Sequence, residues 1–150
     1  MPSTQALSPE DATALLREAG LRVTRQRVAT LQAITLRPHA TVEQMVSDLS
    51  GELPKASFQA AYLVVADLVA AGLVSRLDLP GQAARYELER RDNHHHAMCI
   101  ECGRLEDVAC AVGEAPCLLP SDSHEMDIVV ADVLYRGICR DCRRKAATTP

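Results

Sequence analysis

Two short cysteine pairs constrain this chain more than any other feature. Cys99-Ile-Glu-Cys102 and Cys139-Arg-Asp-Cys142 are C-x-x-C motifs separated by 36 residues. Each pair forms a tight knuckle, and two knuckles together make a tetrahedral thiolate cage whose natural occupant is Zn2+. A closed four-sulfur shell leaves no position for water, so such a site is structural, and its binding energy helps fold a small C-terminal part. The competing reading, two independent redox dithiols, lacks support, because neither pair has the apolar or proline-containing centre of an oxidoreductase motif. Cys110 and Cys117 stand outside the pairs; they read as small buried apolar residues, with a redox role as the alternative.

Size explains why a staple is wanted. A chain of 150 residues makes one ordinary domain or two small ones, and half of it is too short to bury a comfortable core. Hydrophobic residues make up 47%, yet the aromatics are only Phe58, Tyr62, Tyr86 and Tyr135, so the core must be Leu, Val, Ile and Ala. The start carries no basic segment followed by an apolar run, and no stretch approaches the roughly 18 apolar residues that span a bilayer. These features predict a cytoplasmic protein with no membrane partner, in which cysteines serve as metal ligands before disulfides. The net charge of -4 argues against nucleic acid only as a total. Arg17, Arg22, Arg25 and Arg27 cluster within eleven residues, whereas residues 101–132 hold eight acids against Arg104 alone, so one half suits DNA and the other does not.

Local signals predict an α+β chain. Ser8-Pro9-Glu10-Asp11 reads as a helix start, with the helix running to about Gly20. Thr24 caps a second helix that Pro38 stops, Thr41 opens a third, and Ser57 caps a fourth that ends before Gly72. Leu73 to Leu79 and Ala83 to Leu88 alternate around Pro80-Gly81 and read as a hairpin. Helices followed by a two-stranded ribbon is winged-helix order. Composition changes after Arg90, which places a boundary between a DNA-binding domain, 1–90, and a small α/β domain, 91–150. In the latter, His96 to Ile100, Leu105 to Ala109 and Ile128 to Tyr135 read as strands, and 113–119 is too rich in Gly and Pro to assign.

Asp92-Asn-His94-His95-His96 precedes the first knuckle, and strand alternation places His94 and His96 on one face. Two imidazoles make half a metal site. Further donors must come from elsewhere, and Glu87, Asp107 and His39 are the candidates. Mixed nitrogen and oxygen donors suit Fe2+ or Mn2+, with zinc or nickel not excluded by ligand type. If His39 and Glu87 come from one domain and His94, His96 and Asp107 from the other, one ion bridges the two.

These residues resemble the ferric uptake regulator family over roughly residues 10 to 145. Gly20-Leu-Arg-Val-Thr-Arg-Gln-Arg27 is similar to the segment before the family's second helix, Ala71-Gly-Leu-Val74 to the end of its recognition helix, and Ala84-Arg-Tyr-Glu87 to its wing. His94-His-His96-Ala-Met-Cys99-Ile-Glu-Cys102-Gly and Gly137-Ile-Cys139-Arg-Asp-Cys142 resemble its metal-binding core and second knuckle. The resemblance implies a homodimer that binds double-stranded operator DNA as a repressor, not an enzyme and without a small-molecule substrate. It also implies structural Zn2+ on Cys99, Cys102, Cys139 and Cys142, and regulatory Fe2+ or Mn2+ on His39, Glu87, His94, His96 and Asp107.

One branch of the family senses peroxide. Asp107 is compatible with that branch, whereas Glu87 departs from the aspartate common there. The wording around Asp92-Asn-His94-His-His96 and between Cys110 and Cys117 looks most like actinobacterial members linked to catalase-peroxidase control. Oxidative-stress control is therefore the expectation, with iron uptake or other metal homeostasis as the alternative. The DNA-reading helix departs as well, carrying Ala60-Ala61-Tyr62-Leu63 where members usually carry Thr-Val-Tyr-Arg. Candidate DNA contacts are Arg25, Gln26, Arg27, Lys55, Ser57, Gln59 and Tyr62. Two other classes remain. A zinc deaminase needs an H-x-E and P-C-x-x-C pattern that is absent, since neither Cys99 nor Cys139 follows proline. A thiol redox module using Cys110 and Cys117 would act without DNA.

Overall fold

The computed structural model describes residues 7–55, 57–90, 92, 94–109, 125–127 and 132–148. The chain forms two compact units, Met1–Arg90 and Arg91–Pro150. The stretch around Cys110 and Cys117, the segment 113–119 and residues 128–131 of the expected third strand lie outside the described residues.

Four capped helices and a ribbon build the first unit: α1 (Pro9–Glu18), α2 (Arg25–Leu36), α3 (Val42–Asp48), α4 (Phe58–Ala70), β1 (Val74–Leu77) and β2 (Arg85–Leu88). Each start is held by a side-chain oxygen accepting an otherwise orphaned backbone N–H. Ser8 accepts from Asp11, Thr24 from Arg27 and Ser57 from Ala60, while Thr41 and Gln44 form a reciprocal capping box. Gly72 ends α4 at φ 69°, the left-handed conformation that disfavours a Cβ. The ribbon pairs antiparallel from Val74 opposite Leu88 to Leu77 opposite Arg85. Leu16, Leu31, Ile34, Val42, Met45, Val65 and Leu68 are fully buried and form one core with Val74 and Tyr86. This is a winged helix.

Arg27 is tied into that unit. Its guanidinium donates to the Arg22 carbonyl at 2.8 Å and pairs with Asp67 of α4 at 2.5 Å, and its side chain is only 17% exposed. Because Asp67 is half exposed, screening limits what the pair contributes. Arg27→Ala is expected to lower the unfolding free energy by about 1 kcal/mol in urea denaturation. Unchanged stability with weakened DNA binding would instead assign Arg27 to phosphate.

The second unit contains β3 (His94–Cys99), β4 (Leu105–Ala109), β5 (Leu134–Gly137) and α5 (Arg140–Thr148). Strand order is β4-β3-β5, with β3 antiparallel to β4 and parallel to β5. Two expectations are corrected. The first strand begins at His94 because His94 to Met98 pair residue for residue with Ala109 to Leu105. The last described strand runs to Gly137, past the expected end at Tyr135, because its register with β3 carries Arg136 opposite Met98 and Gly137 opposite Cys99. Helix α5 had no counterpart in the sequence reading. Among the described residues, no helix is long and apolar enough to cross a membrane.

Candidate metal centres

The parallel pairing of β3 and β5 explains how the two cysteine knuckles meet. Parallel strands end on the same side of a sheet, so Cys99 at the end of β3 and Cys139 just past β5 emerge together. The Ile100 N–H donates to the Gly137 carbonyl at 2.8 Å and the Cys139 N–H to Cys99 Sγ at 3.3 Å, fastening one knuckle to the other. Cys102 lies in the β3–β4 turn and Cys142 in the first turn of α5. Their four Sγ atoms all lie within 4.8 Å of one another. Cys102 and Cys139 are 3.8 Å apart, far beyond a disulfide bond, and all four cysteines are free. A tetrahedron with metal–sulfur bonds of about 2.3 Å has sulfur–sulfur edges of about 3.8 Å, so the thiolates fit a four-coordinate soft ion.

Backbone dipoles prepare one ligand. N–H groups, first from Cys139 and then from Cys102, pull the Cys99 thiol down to about 6, while hydrogen bonding to Cys139 and burial push Cys142 up to about 12. Cys99 is therefore an anion above about pH 6, and its stabilising contacts are lost as pH falls through that value. Cys142 must instead surrender a proton when it becomes a ligand. Loading the metal-free protein at pH 7.5 is expected to release fewer than four protons per ion, read by an indicator dye, because Cys99 is already ionised.

The first unit holds a second set of donors. His39 follows α2 with φ 63°, a left-handed backbone for a residue with a Cβ. Two backbone bonds keep it there: its N–H donates to the Tyr86 carbonyl at 2.9 Å, and the Tyr86 N–H donates to the Ala40 carbonyl at 3.0 Å. The resulting bridge brings His39 Nε2 to 3.0 Å from Glu87 Oε2 on β2, with both side chains buried. A left-handed residue and a buried ionisable pair each disfavour the fold by roughly 1 kcal/mol or more, and their coincidence marks a functional position.

In the second unit, β3 and β4 set His96 opposite Asp107, with Nε2 3.7 Å from Oδ1. His94 lies edge-on to His96 at a ring separation of 4.9 Å and contacts Asp92 through Nδ1 at 2.5 Å. A carboxylate on Nδ1 orients the ring and leaves Nε2 as the donor atom for an ion. Asp92 was missed as a partner, although its two-residue spacing from His94 was a signal for a shared face. His95, on the other face, is buried near Tyr135.

The candidate DNA contacts divide. Lys55 and Gln59 are exposed, and Arg25 is exposed while donating to the Glu52 carbonyl at 2.9 Å. Gln26 is half-buried. The Ser57 hydroxyl caps α4, and Tyr62 donates its hydroxyl to Glu43 at 2.7 Å. That bond holds the Glu43 carboxyl below its ordinary range and the Tyr62 phenol above its own.

A winged helix joined to a thiolate-caged sheet defines the class as a metal-linked transcriptional regulator. Residues 18–129 match the ferric uptake regulator family, and the chain belongs to it. It is 50% identical over 127 residues to the transcriptional regulator FurA of Mycobacterium tuberculosis, covering 85% of this chain and 86% of that protein. It is 46% identical over 125 residues to ferric uptake regulation protein 1 of Mycolicibacterium fortuitum, covering 83% and 78%. The fold matches the Helicobacter pylori ferric uptake regulator with a TM-score of 0.70 at 16% identity, over 93% of this chain and 97% of that one.

Proposed function

We propose that this protein is a homodimeric cytoplasmic repressor that binds double-stranded operator DNA when a divalent ion, Fe2+ or Mn2+, occupies a regulatory site. The reading assigns DNA binding to residues 1–90, dimerisation and metal sensing to 91–150, and structural Zn2+ to Cys99, Cys102, Cys139 and Cys142. The regulatory donors are His39, Glu87, His94, His96 and Asp107. The carrying observation is the buried His39–Glu87 pair on a left-handed backbone, a preset nitrogen–oxygen donor pair at 3.0 Å inside a winged helix.

An ion there would supply one positive centre for these nitrogen and oxygen donors. His39 and Glu87 contribute from the wing side. His96 and Asp107 contribute from the β3–β4 hairpin, with Asp92 orienting His94. Metal that binds only one conformation would shift the population toward it, and DNA affinity would rise by the same coupling.

Within this reading, release by peroxide and control of oxidative-stress genes such as catalase-peroxidase is the primary assignment, supported by Asp107 and by the wording around His94 to His96. Glu87 favours the second assignment, iron uptake or other metal homeostasis. The deciding experiment is anaerobic binding to the protein's own promoter region with Mn2+ or Fe2+ titrated and hydrogen peroxide then added. Release of the Fe2+ complex alone establishes peroxide sensing. Binding that survives peroxide with both metals establishes homeostasis, and no metal-dependent binding overturns the repressor assignment.

A further inference from the structure

The exposed face of α4 is unlike one that reads bases through charge. Its 13 residues contain no lysine or arginine, and their polar side chains are Gln59, Tyr62 and Asp67. Asp67 is paired with Arg27 and the Tyr62 hydroxyl is donated to Glu43. Phe58, Tyr62 and Leu63 are nevertheless 53%, 45% and 64% exposed, while Ala61, Val65 and Leu68 face the core. At about 100° per residue, Phe58, Tyr62, Ala66, Gln59 and Leu63 span an arc of roughly 140° that starts beside the core positions, with Phe58 next to Val65, and ends opposite them at Leu63. Cations sit at one end of this arc. Lys55 is exposed just before the cap, and Arg25 is held to the Glu52 carbonyl of the same loop.

An apolar face with an amide in its first turn and cations at its N-terminal end has the complement of one surface in particular. The major groove of an A·T-rich duplex presents thymine C5-methyl groups and adenine N6/N7 edges between two rows of phosphates. Guanine readout, in contrast, calls for an arginine or lysine aimed at O6 and N7, and α4 supplies neither.

We propose that Phe58 and Leu63 are specificity determinants that read thymine methyl groups by apolar contact, with Gln59 on adenine and with Arg25 and Lys55 on the flanking phosphates. This rests on the repressor reading and adds to it how the operator is discriminated. The Tyr62–Glu43 bond holds the tyrosine ring within the arc, so discrimination resides in side chains whose removal leaves the core intact.

The test uses the full metal-loaded chain and a pool of randomised duplexes. Enriched duplexes are then remade with deoxyuridine in place of each thymidine, which removes one methyl group and leaves the base pairing unchanged. At methyl-reading positions, the wild type is expected to lose about fourfold in affinity per methyl, the equivalent of withholding one apolar carbon from burial. In Leu63→Ala or Phe58→Ala the penalty at the corresponding position should vanish, with thermal unfolding unchanged. Indifference to deoxyuridine at every position, or a penalty that persists in both variants, overturns the assignment. Failure to enrich any duplex overturns the repressor reading itself, and this inference with it.

Discussion

Cys142→Ser is expected to yield a chain that retains no zinc through gel filtration and in which only the first 90 residues melt cooperatively. The reason lies in how little apolar burial the described residues of the second unit supply. Its buried apolar side chains among the described residues are Met98, Cys99 and Leu105, against a first unit with a continuous core of a dozen residues. Structural Zn2+ in a small fold supplies about 10–16 kcal/mol, as much as the whole stability of an ordinary domain at about 5–15 kcal/mol. Serine cannot replace the thiolate, because its hydroxyl keeps its proton at neutral pH and is a poor ligand for a soft ion. Metal analysis together with circular dichroism melting, with and without chelator, checks the expectation. One equivalent of zinc retained with a wild-type melting curve would remove the four cysteines from their structural role.

His96→Ala is expected to do the opposite, preserving zinc and stability while abolishing the metal-stimulated rise in DNA affinity. Allosteric coupling of this kind is typically about 5–150-fold, so the wild type should show a rise of that order and the variant none. His96 is a cleaner probe than His39. Removing His39 leaves Glu87 buried without its imidazole partner, and breaking a buried pair from one side destabilises by about 3–5 kcal/mol, which confounds sensing with folding. His96 faces Asp107 instead, whose side chain is 31% exposed against 6% for Glu87, so water can replace the lost imidazole there and the second unit stays folded. Metal titration under a fixed concentration of labelled duplex reads the effect. Unchanged stimulation would remove His96 from the regulatory set.

Most of the winged helix was legible in sequence because its determinants are local. Ser8, Thr24, Thr41 and Ser57 each cap the helix they precede, and Pro38 and Gly72 end helices by restricting or permitting backbone angles. Less local features were harder to place. α5 begins directly after Cys139 and contains Cys142, so a segment read as a metal knuckle is also the first turn of a helix. Its composition, dominated by arginines and small residues, carries no apolar stripe to reveal it. The end of β5 is set by pairing with β3, which lies some forty residues earlier in the chain.

The sequence by itself determined which donors this protein owns. Two C-x-x-C pairs specify a thiolate set, and alternation places His94 and His96 together, because knuckle and strand periodicities are properties of neighbouring residues. Only the tertiary structure decided how distant donors meet. The parallel β3–β5 register brings the two knuckles to one end of a sheet, and the Ala40–Tyr86 bridge brings His39 to Glu87 across 48 residues. It also pairs the Arg27 guanidinium with Asp67, forty residues further along the chain. Residue type and short spacing are written in the chain, whereas proximity between remote segments depends on backbone hydrogen bonds that form only once the core has folded.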